Sequence, residues 1–327
     1  MRKKVYRIVF CALLLALSNP AQAQQATKIP RIGYLSAGSA SANSPRIEAF
    51  RQGLRELGYV EGKDMIIEWR YAEQKLDRLP ALAAELVRLK VDVIVTSGPS
   101  VTRAAKAATT TIPIVMSFDI DPVGNGFVAS LARPGGNITG LSALHPEISG
   151  KRLELLKEIV PRLSRVAVLG SSTVPGYAQE LKEIELAAGA FKVQLQHLDV
   201  LHPKDLETAF RAAGKGRADA VLVLSSPVFG SHRAQIAELA IKGRLPAIYY
   251  TAQWVEDGGL VSYGVNTRDL DRRAATYVDK ILKGRTPADL PVEQPMKFDF
   301  VINLKAAKQI GLTIPPNVLV RADRVIR

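Results

Sequence analysis

The chain has 327 residues, 47% hydrophobic and 23% charged, the balance of a globular protein rather than a disordered or fibrous one. A single cysteine excludes a disulfide framework and a thiolate metal site. The formal charge of +13 raises nucleic acid or an anionic surface as candidate partners.

The N-terminus changes the charge argument. Arg2, Lys3, Lys4 and Arg7 form a basic head, residues 8–17 an apolar run, and Ala21-Gln22-Ala23 a small-residue site. That order describes a secretory signal peptide over residues 1–23, cleaved after Ala23. The run is shorter than the roughly 20 residues a membrane-spanning helix needs, and no later run is longer. An exported, periplasmic protein with no stable membrane insertion is expected. Cleavage removes four basic residues, no acidic ones, and Cys11, the only cysteine. The remaining basic residues are scattered, with no stripe interleaved with aromatics, so nucleic acid is not expected as a partner.

Beyond the signal, apolar runs bounded by turn residues alternate with segments of helical period, the mark of βα units. Residues 31–35 read as a strand. Ile47, Phe50, Leu54 and Leu57 share one helical face. Residues 65–72 form a second strand, Leu79, Leu82, Leu86 and Leu89 a second helical stripe, and residues 91–95 a buried strand. A helix over 100–108 and a strand over 112–118 follow. The same order returns at 166–169 (strand), 180–188 (helix), 193–200 (strand), 206–213 (helix), 220–224 (strand), 234–241 (helix) and 246–250 (strand). Val91-Asp92-Val93 matches Ala218-Asp219-Ala220, and Ile112-Pro113-Ile114 matches Leu245-Pro246-Ala247. The economical reading is an α/β duplication: two Rossmann-like lobes with parallel sheets. Lobe one covers 28–141, with 264–285 returning to it, and lobe two covers 142–263 with a tail over 290–327. Several connecting segments would act as a hinge.

Sites in such sheets lie at the carboxyl ends of the strands. The loops there lack G-x-G-x-x-G, a P-loop and G-x-S-x-G. His145, His197, His202 and His232 have no metal-ligand spacing. No metal, cofactor or catalytic set is therefore expected. Binding chemistry remains. Ser36 and Ala37 follow the first strand. Ser97, Gly98 and Ser100 end a buried strand and open a helix, where hydroxyls and free N–H groups suit an anion or a plain cap. Asp119 and Asp121 offer carboxylates to an amine, or an Asx-Pro turn. Ser171, Ser172, Ser225 and Ser226 take equivalent places in lobe two. Tyr34, Phe118, Tyr250 and Gln253 bring rings and an amide to strand ends.

Ile32-Gly33-Tyr34-Leu35 and residues 50–62 (FRQGLRELGYVEG), 131–140 (LARPGGNITG) and 151–156 (KRLELL) resemble the ABC-transporter substrate-binding proteins that include tryptophan- and tyrosine-binding receptors. So do residues 287–295 (PADLPVEQP), 300–305 (FVINLK) and 311–316 (GLTIPP), so the resemblance runs along the whole mature chain in order. It implies a type I periplasmic-binding fold that closes on a small solute, acts as a monomer, and delivers to an ABC permease with its ATPase. It places Ser36, the Ser97–Ser100 loop, Asp119 and Asp121 at ligand-loop positions. Aromatic-amino-acid binders tend to carry an Asp-Asn pair after the lobe-two strand, where this chain has Ser225-Ser226-Pro227-Val228-Phe229. An aromatic or other small carboxylate thus stands beside an amino acid as the expected solute. A receptor for a sensor kinase and an exported α/β enzyme are the alternative classes.

Overall fold

The computed structural model describes residues 29–41 and 43–327. The expected export signal, residues 1–23 with Cys11, lies outside the described residues.

Among the described residues, twelve strands form two α/β sheets. The first contains β1 (Arg31–Ser36), β2 (Ile66–Tyr71), β3 (Val93–Ser97), β4 (Ile114–Asp119) and β5 (Ile138–Ser142), in the order β2-β1-β3-β4-β5. All its pairings are parallel. The second contains β6 (Arg165–Gly170), β7 (Gln194–Asp199), β8 (Ala220–Val223), β9 (Ala247–Tyr249), β10 (Val261–Val265), β11 (Phe298–Asn303) and β12 (Arg324–Ile326). Its order, read from the other edge, is β7-β6-β8-β9-β10-β11-β12. The first five of these strands repeat the arrangement of the first sheet. The expectation of parallel sheets needs one amendment, because β10 and β11 pair antiparallel. The chain reaches β11 after a return through the first sheet, and so enters from the opposite direction.

The repeated aspartate explains itself. Asp92 accepts the Arg31 N–H at 2.8 Å, fixing the start of β1 beside β3. Asp219 accepts the Ser164 and Arg165 N–H groups, both at 2.8 Å, fixing the start of β6 beside β8. β3 and β8 are apolar and buried almost throughout because helices cover both faces of each sheet. Four apolar clusters result, two per sheet.

In the first lobe these helices are α1 (Ser44–Glu56), α2 (Leu79–Arg88) and α3 (Pro99–Ala108). In the second they are α4 (His145–Ile159), α5 (Tyr177–Phe191), α6 (Leu206–Lys215), the short α7 (Pro227–Gly230), α8 (Arg233–Lys242) and α9 (Ala252–Glu256). The chain then returns: α10 (Thr267–Leu282), capped by the Asn266 side chain on the Asp269 N–H, packs on α1 and on β3, β4 and β5. The two helices approach so closely at Gly53 that a Cβ there would meet the Arg272 carbonyl oxygen at 2.2 Å. Only glycine fits that crossing. Two short helices, α11 (Leu304–Gln309) and α12 (Pro316–Leu319), complete the tail.

Three segments link the sheets: residues 143–144, residue 266, and 283–297. The third lies along β5, where Ser142 N–H donates to the Glu293 carbonyl at 2.9 Å and Glu293 N–H to the Gly140 carbonyl at 3.1 Å. Among the described residues, no helix is long and apolar enough to cross a membrane.

Candidate ligand-binding site

A cavity of about 900 Å³, counted with its mouth, lies between the two sheets and is lined from both. The first sheet contributes the ends of β1, β3 and β4. Ser36 sits at the end of β1, with its Oγ accepting from Asn43 Nδ2 at 3.1 Å and the Gly38 N–H at 3.3 Å. Gly98 turns β3 into α3 at φ +104°, a conformation that favours glycine, and a Cβ there would meet the Phe118 ring at 3.2 Å. The glycine thus lets the tip of the half-buried Phe118 ring close on the turn. Arg46 lies over the Phe118 ring, its guanidinium carbon 4.6 Å from the centroid.

Arg46 is held from behind. Asp271, fully buried on α10, takes its Nε at 2.6 Å and Nη2 at 2.9 Å. Burial alone pushes the guanidinium pKa down, and Asp271 more than reverses this, so the group stays charged. The second sheet offers a counterpart. Arg233, opening α8, gives its Nε to Asp257 at 2.6 Å and Nη1 to the Gly230 carbonyl. The floor on this side is aromatic: Tyr250 meets Trp254 edge-on at 5.6 Å and His145 at 5.7 Å. Trp254 stacks in turn on Tyr249 at 4.8 Å.

Behind His145 lies a buried polar cluster. Arg152 on α4 gives its Nε to the Tyr263 carbonyl at 2.9 Å and its Nη1 to Ser149 Oγ at 3.0 Å. Glu180 on α5 lies 2.9 Å from Ser149 Oγ and 3.6 Å from both Arg152 Nη1 and His145 Nδ1. Burial pushes the His145 pKa down despite the carboxylate, which keeps the imidazole neutral at pH 7. Burial also pulls Arg152 down, to about 10.

Of the residues expected from sequence, Ser36, Ala37, Ser97, Gly98, Ser100, Phe118, Ser225, Ser226, Tyr250 and Gln253 line this cavity. Five do not. Tyr34 lies in the core against Phe50 and Trp69, with 1% exposure, because its strand position points away from the strand end. Asp119 is fully buried, and its Oδ1 is taken by Asn125 Nδ2 at 2.9 Å and the Asp121 N–H at 3.1 Å. Burial pushes its carboxyl up to about 7. Asp121 caps the following turn through the Gly124 N–H at 2.8 Å. Ser172 bonds Asp199 through both N–H and Oγ, and Ser171 lies 3.2 Å from Thr173 Oγ1. Sequence reasoning missed Arg46, His145, Arg233 and Trp254. The two arginines open helices, where a charged residue reads as surface, and the aspartate holding Arg46 is far away in sequence.

A model of the ABC transporter substrate binding protein family matches residues 39–326. The chain belongs to that family. Among its relatives is a tyrosine-binding protein of Clostridioides difficile, 24% identical over 265 residues, spanning 81% of this chain and 76% of the relative. Two solved structures are also similar. A conserved domain protein from Vibrio cholerae is 29% identical with a TM-score of 0.86, covering 91% of this chain and all of that one. An ABC domain from Streptococcus pneumoniae in complex with L-Trp is 26% identical with a TM-score of 0.85, covering 91% and 99%. The fold is that of the type I periplasmic binding proteins.

Proposed function

We propose that this protein is the exported, non-enzymatic solute receptor of an ABC importer. It closes its two lobes on a small solute, an amino acid or a small carboxylate, and hands it to a membrane permease driven by an ATPase. It works as a monomer in the periplasm, the lobes moving about the three linking segments. Within lobe one the unit is residues 28–141 with 264–285, and within lobe two 142–263 with 290–327. One observation carries the reading: a single cavity whose wall is built half from the strand ends of one sheet and half from those of the other. Such a site is complete only when the lobes are together, so ligand binding favours the closed arrangement over the open one.

The test is a thermal-shift screen on protein stripped of ligand by unfolding and refolding, across amino acids, aromatic acids, nucleosides and sugars. A solute at a hundredfold excess over its Kd stabilises the fold by about 2.7 kcal/mol. The expected outcome is a rise in Tm with one chemical class, accompanied by a smaller radius of gyration in X-ray scattering. A Tm unmoved by every class overturns the reading.

A further inference from the structure

The cavity is one-sided in its charged groups. Among the described residues, no aspartate or glutamate lines it, while Arg46 reaches it from lobe one and Arg233 from lobe two. Each arginine is anchored through Nε by a carboxylate behind it. Arg46 Nη1 and Arg233 Nη2 have no hydrogen-bond partner among the described residues. Each pair is neutral overall, but the guanidinium is the end on the cavity wall, so the wall presents the positive end of two ion-pair dipoles. A third donor, the indole N–H of Trp254, is buried beside Tyr250. Arg46, Arg233 and Tyr250 line the same cavity.

An ammonium group entering this space loses its hydration and meets no carboxylate in return. The carboxylates expected here from sequence, Asp119 and Asp121, are off the wall: Asp119 Oδ1 accepts from Asn125 and the Asp121 N–H while its Oδ2 is buried in the interior, and Asp121 Oδ1 accepts from the Gly124 N–H. The other titratable lining groups, His145 and Tyr250, add no negative charge at neutral pH, because burial pushes the imidazole pKa down and the phenol pKa up. A carboxylate finds the reverse: free guanidinium donors already oriented by Asp271 and Asp257. The rings of Phe118 and Tyr250, with Val101, Pro99 and Pro227 nearby, form an apolar remainder suited to a planar body.

Resting on the receptor reading above, we infer that the solute is a carboxylate borne on an aromatic ring and carrying no ammonium group. Arg46 and Arg233 bind its carboxylate from the two lobes, and Phe118 and Tyr250 bind its ring.

Matched pairs that differ only in the ammonium test this by calorimetry on refolded protein: indole-3-propionate against L-tryptophan, 3-(4-hydroxyphenyl)propionate against L-tyrosine, and 3-phenylpropionate against L-phenylalanine. In at least one pair the des-amino acid is expected to bind at least about tenfold more tightly, from the unpaired charge that the amino acid would bury. Arg233→Gln, in a half-exposed ion pair, is expected to keep the Tm and weaken that acid by about tenfold or more. Arg46→Lys, which retains the charge beside Asp271 but not the fork, is expected to weaken it as well. Amino acids binding as tightly as their des-amino partners overturn the inference and leave the receptor reading standing. So does binding confined to sugars or nucleosides, or affinity for the acid unchanged in both arginine variants. Failure of every class to bind overturns the receptor reading, and this inference with it.

Discussion

The two lobes share a strand order but hold their cavity arginines differently. In lobe one the Arg46 side chain is 13% exposed and its partner Asp271 fully buried, and the partner comes from α10, a helix far along the chain. In lobe two the Arg233 side chain is 23% exposed and Asp257 36%, and the partner lies a short way along the chain. The first pair has given up its water and is held by packing. The second keeps much of its hydration, so its contribution to stability is small. The same pairing chemistry thus serves a structural purpose in one lobe and a mainly orienting one in the other.

The sharpest way to break this contrast is to remove one carboxylate at a time. Asp271→Asn leaves Arg46 buried without its counter-charge and is expected to cost about 3–5 kcal/mol in urea unfolding. Asp257→Asn is expected to cost less than about 1 kcal/mol. Equal losses would erase the distinction. A second contrast lies at the ends of β4 and β9, where lobe one has Asp119 and lobe two Tyr250. With its carboxyl pushed up to about 7 by burial, Asp119 stays protonated in the folded protein over a range in which the unfolded chain has released that proton. Its contribution to stability is therefore fully present below the unfolded value of 3.8 and declines until pH 7, with a limiting slope of about 1.4 kcal/mol per pH unit. Asp119→Asn is expected to remove that decline. A pH–stability profile unchanged by the substitution would sink the assignment. A third contrast concerns the turns that follow β3 and β8. Gly98→Ala places a side chain at φ +104° against Phe118 and is expected to cost about 1–2 kcal/mol. Ser226→Ala removes only the Oγ that accepts the Val228 N–H at 3.2 Å, at about 0.5–1 kcal/mol, measured by the same unfolding.

The α/β architecture was legible because buried strands such as β3 and β8 are apolar runs, and because helices such as α2 keep Leu79, Leu82 and Leu86 on one face. Loop position also marked Ser36, Ser97, Ser225 and Tyr250 as cavity residues, since these loops fall at the carboxyl ends of strands. What stayed hidden was side-chain direction and partnership. Asp119 and Phe118 are neighbours in sequence, yet the alternation of a strand sends one into the interior and the other to the cavity. Arg46 and Asp271 lie 225 positions apart, and no local pattern announces that they meet. The antiparallel entry of β11 was equally invisible, because strand direction depends on the route by which the chain returns. The arginines are the instructive omission: position at a helix start said surface, and a distant carboxylate decided otherwise.

The packing of α10 on the first lobe sets an order in time. Ile32, Tyr34, Val93, Val95 and Val115 form one face of the first sheet and are covered by Leu270, Ala274 and Val278 as well as by α1. A chain made from its N-terminus completes β5 long before residues 267–282 exist, so that face waits while most of the second lobe is synthesised. Contacts at such separation are slow to form, because a large loop must close before they contribute anything. A fragment ending at residue 266 would hold all five strands of the first sheet and still expose part of its interior. The lobe that begins first is therefore completed only after most of the second has been made, with β11, β12 and the two short tail helices still to come.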